Sequence, residues 1–317
     1  MRPFYTGLRK VVRSETFLNA SFPFPTLDSQ KSIADFLDRE TARINKLIEK
    51  KQRLLSVLES KWRATVARTL TDGLQAGVAK LDSGVSWLGE VPAHWTVTKL
   101  GNIGRCANGI NISGDSFGSG YPFVSYGDVY KNSELPRTVV GLVQSSAEDR
   151  RRYSLQAGDV LFTRTSEIVE EIGFSGVCME DMPDAVYAGF LIRFRPRKST
   201  LVPLYSKYLF RNHALRAFFA KEMMIVTRAS LSQGLLQKMP VLLPPLDEQE
   251  EIAGFLSGVE GLHAAASDSI VKSIERLREY RAALITAAVT GQIDVESWGK
   301  RGETDRRLDQ IQEAMSA

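Results

Sequence analysis

The sequence predicts an α+β protein: one α/β domain flanked by two long helices that pair as an antiparallel coiled coil, within the chain or across a dimer. Three observations predict it. A thirteen-residue motif occurs twice at one constant offset, each copy opens a long run of apolar residues at helical spacing, and the segment between the copies has the texture of short strands joined by glycine turns.

The composition sets the outer limits. With 317 residues, 43% of them apolar, 25% charged and 9% aromatic, the chain has globular proportions rather than those of a disordered one. No apolar run reaches the roughly 18 residues needed to cross a bilayer. The start, MRPFYTGLRKVVRSE, lacks the apolar stretch and cleavage site of a secretory leader. A soluble, cytoplasmic protein with no membrane partner is expected. Cys106 and Cys178 stand far apart, and His94, His213 and His263 are the only histidines, so neither a metal centre nor a histidine-based catalytic site is expected. A net charge of +4 permits a nucleic-acid partner without demanding one.

Residues 1–24 precede the first copy of the motif and match the run-up to the second only faintly, with Arg9 falling on Arg228. The first copy is PTLDSQKSIADFL, residues 25–37; the second is PPLDEQEEIAGFL, residues 244–256. Pro25, Leu27, Asp28, Gln30, Ile33, Ala34, Phe36 and Leu37 recur as Pro244, Leu246, Asp247, Gln249, Ile252, Ala253, Phe255 and Leu256, eight identities in thirteen positions. Downstream, after a one-residue slip, Arg63-Ala64 and Gly73 match Arg281-Ala282 and Gly291.

Each copy reads as one long helix, over 25–80 and 244–295, with the proline as an extended approach and Asp28 or Asp247 as N-cap. The first seam runs Ile33, Leu37, Ile44, Leu47, Leu54, Leu58, Trp62, Val66, Leu70; the second runs Ile252, Leu256, Val259, Ile270, Ile274, Leu277, Leu284, Val289, with Gly254, Gly258 and Gly261 weakening its start. A helix this long with one apolar stripe needs a partner helix along its length. Residues 296–317 follow as a tail.

Residues 81–243 form the globular domain. PFVSYGDVY, GDVLFTR and AVYAGFLIRFRP read as strands, and LVPLYSKYLFRNHALRAFFAKEM as a helix. Basic residues cluster at Arg150–Arg152 and at Arg193, Arg195, Arg197 and Lys198, where they grip phosphates or line a solvated face.

These features resemble the specificity subunit of type I restriction-modification enzymes. The resemblance is carried by Pro244-Pro245-Leu246-Asp247-Glu248-Gln249 with Ile252-Ala253-x-Phe255-Leu256, and by Arg281-Ala282-Ala283-Leu284-Ile285 leading to Val289-Thr290-Gly291. Trp87-Leu88-Gly89-Glu90-Val91-Pro92-x-His94-Trp95 looks like the opening of a target recognition domain, and Gly158-Asp159-Val160-Leu161-Phe162-Thr163-Arg164 like a strand inside it. The resemblance implies a non-catalytic subunit that reads double-stranded DNA and binds modification (methyltransferase) and restriction (translocase and nuclease) subunits. It implies no cofactor on this chain, with S-adenosylmethionine, ATP and magnesium on the partners. No Asn-Pro-Pro-aromatic motif, Walker motif or convincing nuclease set is present.

Family members carry two recognition domains, each reading one half of a bipartite site. Here residues 1–24 look like only the tail of one, so a half-sized subunit reading one half-site is expected, working as a homodimer or with another specificity fragment. The alternative is a coiled-coil scaffold that occupies modification subunits without reading sequence.

Base readout asks for Arg or Lys on guanine, Asn or Gln on adenine, and hydroxyls on phosphate, carried on loops that enter a groove. Four segments offer this. Asn108, Asn111 and Ser113 lie in a glycine-rich loop; Lys131 and Asn132 in an edge loop; Arg164, Thr165 and Ser166 at a strand end; and Arg228, Ser232 and Gln233 where the domain returns to the coiled coil. Trp87 and Trp95 read as packing residues, and Asp115 and Asp159 as caps or turns.

Overall fold

The computed structural model describes residues 14–21, 24–86, 88–165, 172–212, 218–219 and 230–298. In chain order these form α1 (Ser14–Leu18), α2 (Leu27–Asp72), β1 (Lys80–Asp82), β2 (Glu90–Pro92), β3 (Thr96–Lys99), α3 (Leu100–Ile103), β4 (Gly104–Asn108), β5 (Phe117–Val124), α4 (Tyr126–Lys131) and β6 (Leu142–Val143). There follow α5 (Ala147–Tyr153), β7 (Val160–Thr163), β8 (Ser175–Val177), β9 (Val186–Tyr187), β10 (Leu191–Pro196), α6 (Pro203–Arg211), α7 (Gln233–Lys238), β11 (Pro240–Leu243) and α8 (Leu246–Val289). Two compact units result, one of residues 1–57 with 266–317, the other of 58–265.

The first unit is the antiparallel pairing of α2 with α8 inside one chain. Phe36, Ile44, Leu47 and Ile48 of α2 are buried with Ile274, Leu277, Leu284 and Ala288 of α8, and Arg281 Nη1 donates to Asn45 Oδ1. The seam differs from the expected one: Phe36 and Ile48, which lie outside the expected seam, are buried in it. Leu54 is exposed while Leu55 packs, and Val289 is exposed while Ala288 is buried. The step from Leu47 to Leu55 is eight residues, a spacing that a buried helix face uses as well as seven.

Both helices also start two residues earlier than an Asp cap requires. Thr26 caps α2, its Oγ1 accepting from the Ser29 amide at 3.3 Å, and Asp28 and Asp247 sit in the first turn, where a negative charge favours the helix N-terminus. The three glycines near the start of α8 do not interrupt it.

The second unit is the globular domain together with the adjoining parts of both helices. Its centre is an antiparallel sheet in the order β4-β10-β7-β8. A second sheet, β6-β5-β9, pairs β5 antiparallel to β6 and parallel to β9. The β3–β11 pair and α3 with α7 carry the chain back towards α8. The buried side chains form two clusters, one around Phe162, Phe194, Tyr205 and Phe210, the other around Val124, Leu155, Leu161 and Tyr187.

Polar joints fix this domain to α8. Gln249, 1% exposed, accepts from the Val202 amide at 2.9 Å and donates to the carbonyls of Thr200 and Pro244. Lys207 Nζ donates to Glu260 at 2.7 Å and to Glu134 at 2.8 Å, and Tyr208 Oη also donates to Glu260. Glu248 accepts from His94 Nε2 and Trp95 Nε1 at 2.7 and 3.0 Å, which makes Trp95 a packing residue at the joint. Trp87 lies outside the described residues.

Much of the basic clustering is structural. Arg195 grips buried Asp159 with two hydrogen bonds of 2.7 and 2.6 Å, and that hydrogen bonding raises the arginine's pKa above its ordinary value. Arg193 donates to the Ser154 carbonyl, and the Arg150 guanidinium lies 3.5 Å from the centre of the Tyr121 ring.

Candidate nucleic-acid interface

Strand register brings several of the expected residues to one end of the central sheet. Asn108 ends β4 opposite Ile192, and Thr163 ends β7 opposite Leu191, where β10 begins. The loop after Asn108, the segment Arg164–Thr165 and the turn Ala188–Phe190 therefore leave the sheet at the same end. The return segment joins them there. Ser230 bridges Thr165, and the Leu231 amide donates to the Arg164 carbonyl at 2.7 Å.

Glycine is required where these segments meet. A side chain at Gly109 would collide with the carbonyls of Tyr187 and Ala188, and one at Gly189 with Asn111 Oδ1. The Asn111 amide thus lies against the turn and is exposed. Arg164 is half-buried; its amide donates to the Phe190 carbonyl and its Nη1 to the Gly189 carbonyl, both at 3.1 Å, while its Nε has no partner among the described residues. Thr165 is exposed, and its carbonyl accepts from Tyr126 Oη at 2.9 Å.

Three other expected residues spend their polar groups on local structure. Ser232 caps α7, accepting from the Leu235 amide at 3.1 Å. With its amide turned to satisfy both groups, Gln233 donates to the Cys106 carbonyl at 3.0 Å and accepts from the Asn108 amide at 3.2 Å, tying α7 to β4. Ser113 Oγ is 3.5 Å from Ser116 Oγ in a short exposed 3-10 turn that includes Asp115.

Lys131 and Asn132 are not in the cluster. The segment expected as an edge loop is the helix α4, started by Ser125 and Asp128, each of which accepts from the other's backbone amide. The helix begins near Thr165 and ends beside Gly176, which pairs with Leu161 towards the other end of the sheet. Asn132 donates to the Asp128 carbonyl, and Lys131 is exposed. Ser166 and Arg228 lie outside the described residues.

One residue that sequence reasoning missed is Phe190, 65% exposed at the tip of the turn. Its only sequence signal is its place after Ala-Gly and before a strand of apolar residues. Burial pushes the thiols of Cys106 and Cys178 up to about 12, so both are protonated at neutral pH. Among the described residues no group of His, Cys, Asp or Glu has the arrangement of a metal site.

The sequence profile of the type I restriction modification DNA specificity domain matches residues 92–275, which contain all of this end. The chain belongs to that family. As a specificity-domain protein it is 30% identical over 209 residues to the putative type I restriction enzyme MjaX specificity subunit of Methanocaldococcus jannaschii, covering 64% of this chain and 47% of that one. It is 26% identical over 297 residues to the EcoKI specificity subunit of Escherichia coli, covering 90% and 60%. The chain thus spans about half to three-fifths of the length of these relatives.

Two solved structures share the fold of this specificity-domain protein. A chain from a structure concerned with complex assembly of the type I R-M system superposes with a TM-score of 0.68 at 18% identity, covering 90% of this chain and 65% of that one. The HsdS subunit of Thermoanaerobacter tengcongensis gives 0.53 at 18% identity, covering 91% and 65%. No described helix is long and apolar enough to cross a membrane.

Proposed function

We propose that this chain is the DNA sequence-specificity component of a type I restriction-modification system, reading one half of a bipartite site in prokaryotic cytoplasm. It has no catalytic step of its own. Methyl transfer from S-adenosylmethionine and ATP- and magnesium-dependent cleavage belong to the modification and restriction subunits it recruits. The observation that carries this reading is the convergence, inside the family-matched segment, of Asn108, Asn111, Arg164 and Thr165 at one sheet end. Amide, guanidinium and hydroxyl groups held on close-packed turns are the chemistry of base and phosphate contact. Lys131, Ser166 and Arg228 remain proposed DNA contacts.

The test is co-expression with the cognate modification subunit followed by mapping of methylated bases in the host genome. A single bipartite motif is expected; methylation without any motif would overturn the reading. We infer further that the first repeat receives a second recognition domain, from a second copy or another specificity fragment. Leu27 is 65% exposed there and Phe24 89%. A measured mass showing one chain per complex with modification subunits would reject this.

A further inference from the structure

We propose that Phe190 is a specificity-determining residue whose ring packs against the 5-methyl group of a thymine in the major groove of the half-site. The proposal rests on the DNA-reading function above and names a residue for it.

The ring is 65% exposed in a stretch that is otherwise buried: Val186, Tyr187, Leu191 and Ile192 are 0% exposed and Ala188 6%. A single exposed apolar residue is ordinary by itself. What sets this one apart is how firmly it is held and what surrounds it. The Leu191 amide closes the turn on the Ala188 carbonyl at 2.9 Å. The Ala188 amide donates to the Val124 carbonyl at 3.0 Å, and Arg164 donates to the carbonyls of both Gly189 and Phe190 at 3.1 Å. Four hydrogen bonds therefore fix the backbone under a ring that makes no aromatic pair among the described residues.

Around it stand Asn111, Arg164 and Thr165, which suit adenine, guanine and phosphate. The thymine methyl is the one apolar group on the major-groove base edges, and an exposed apolar side chain such as Phe suits it. A rigid turn adds selectivity, because the contact costs no ordering of a loop on binding.

The test uses the complex with modification subunits and a duplex carrying the mapped site, in which each thymine is replaced in turn by uracil, removing only the methyl group. Wild type should lose about fourfold in affinity at one position, the value of one buried methyl group. Phe190→Ala should bind the thymine duplex as wild type binds that uracil duplex, and should be indifferent to the replacement. Phe190→Leu should retain part of the discrimination. Because the ring is exposed, the melting temperature of both variants should match wild type. An unchanged uracil profile in Phe190→Ala, an equal loss on random DNA, or a mapped half-site without an A·T pair would overturn this proposal alone. A wild-type complex that yields no motif overturns the DNA-reading function as well.

Discussion

The two copies of the repeat have nearly the same residues in different surroundings. Gln30 and Gln249 both donate to the carbonyl of the proline five residues earlier, at 2.9 and 3.0 Å. Among the described residues, only Gln249 also holds the globular domain, through Val202 and Thr200. Ile252, Ala253 and Leu256 are buried in the core of that domain, whereas Ala34 is exposed and Ile33 and Leu37 are half-buried. The order inverts at the phenylalanines: Phe36 is 2% exposed and packs edge-on against Trp298, while Phe255 is 44% exposed. One helical sequence thus offers two faces. The second copy uses the Gln-Ile-Leu face on a domain, and the first uses its Phe in the coiled coil.

Side-chain truncation gives the largest effects. Leu256→Ala should cost about 4 kcal/mol and Leu37→Ala about half of that, because the half-buried site loses less contact and leaves a smaller cavity. Phe36→Ala should cost about 3 kcal/mol and Phe255→Ala less than about 1 kcal/mol, a reversed ranking between the copies. Urea unfolding of the four variants checks both pairs, and equal costs within either pair would break the comparison. A smaller effect is expected for Gln249→Leu, about 2 kcal/mol, since it leaves the Val202 amide unpaired in a buried site. Gln30→Leu should change stability by less than about 0.5 kcal/mol, its side chain being near the surface. If a second recognition domain occupies the first repeat, Gln30→Leu should weaken that association while leaving the isolated chain's melting temperature unchanged.

The long helices and the repeat were legible because they are periodic, and periodicity survives in a single sequence. What it could not locate were helix starts set by local geometry and contacts fixed by partners distant along the chain. The helix caps moved from Asp28 to Thr26, and the seam from Leu54 to Leu55, because local geometry rather than residue type decides them. Tyr126–Lys131 reads as strand or loop by its aromatics, yet the Ser125–Asp128 pair starts a helix there. Within the interface, Asn111 and Arg164 were legible as candidates from residue type. Their convergence on Gly189, and the exposure of Phe190, depend on a register between β4, β7 and β10 that the sequence does not display. The basic run at Arg193–Lys198 divides for the same reason: Arg195 belongs to Asp159, 36 residues earlier.

A pH-dependent effect is expected at Lys207, whose partners Glu134 and Glu260 are 73 and 53 residues away. The repeat offset places Glu260 on Thr41, or on Ala42 after the slip, so the first helix has no carboxylate for such a joint. Burial acts to lower the Lys207 pKa, but hydrogen bonds to the two carboxylates outweigh it and hold the ammonium above its ordinary range. A folded-state pKa above the unfolded value means that the stabilisation is complete below about pH 10.4 and is lost as pH rises through the folded-state value. Both carboxylates are more than a third exposed, so solvent screening limits the contribution to about 1 kcal/mol. Burial and the same Glu260 push the Tyr208 hydroxyl up to about 12, and its ionisation acts in the same direction. The melting temperature of wild type should therefore fall more steeply above pH 10 than that of Lys207→Met, with the two curves parallel between pH 6 and 9. Parallel curves throughout would show that the ammonium contributes nothing to the joint, leaving Gln249 and Glu248 as the polar contacts that distinguish the second copy.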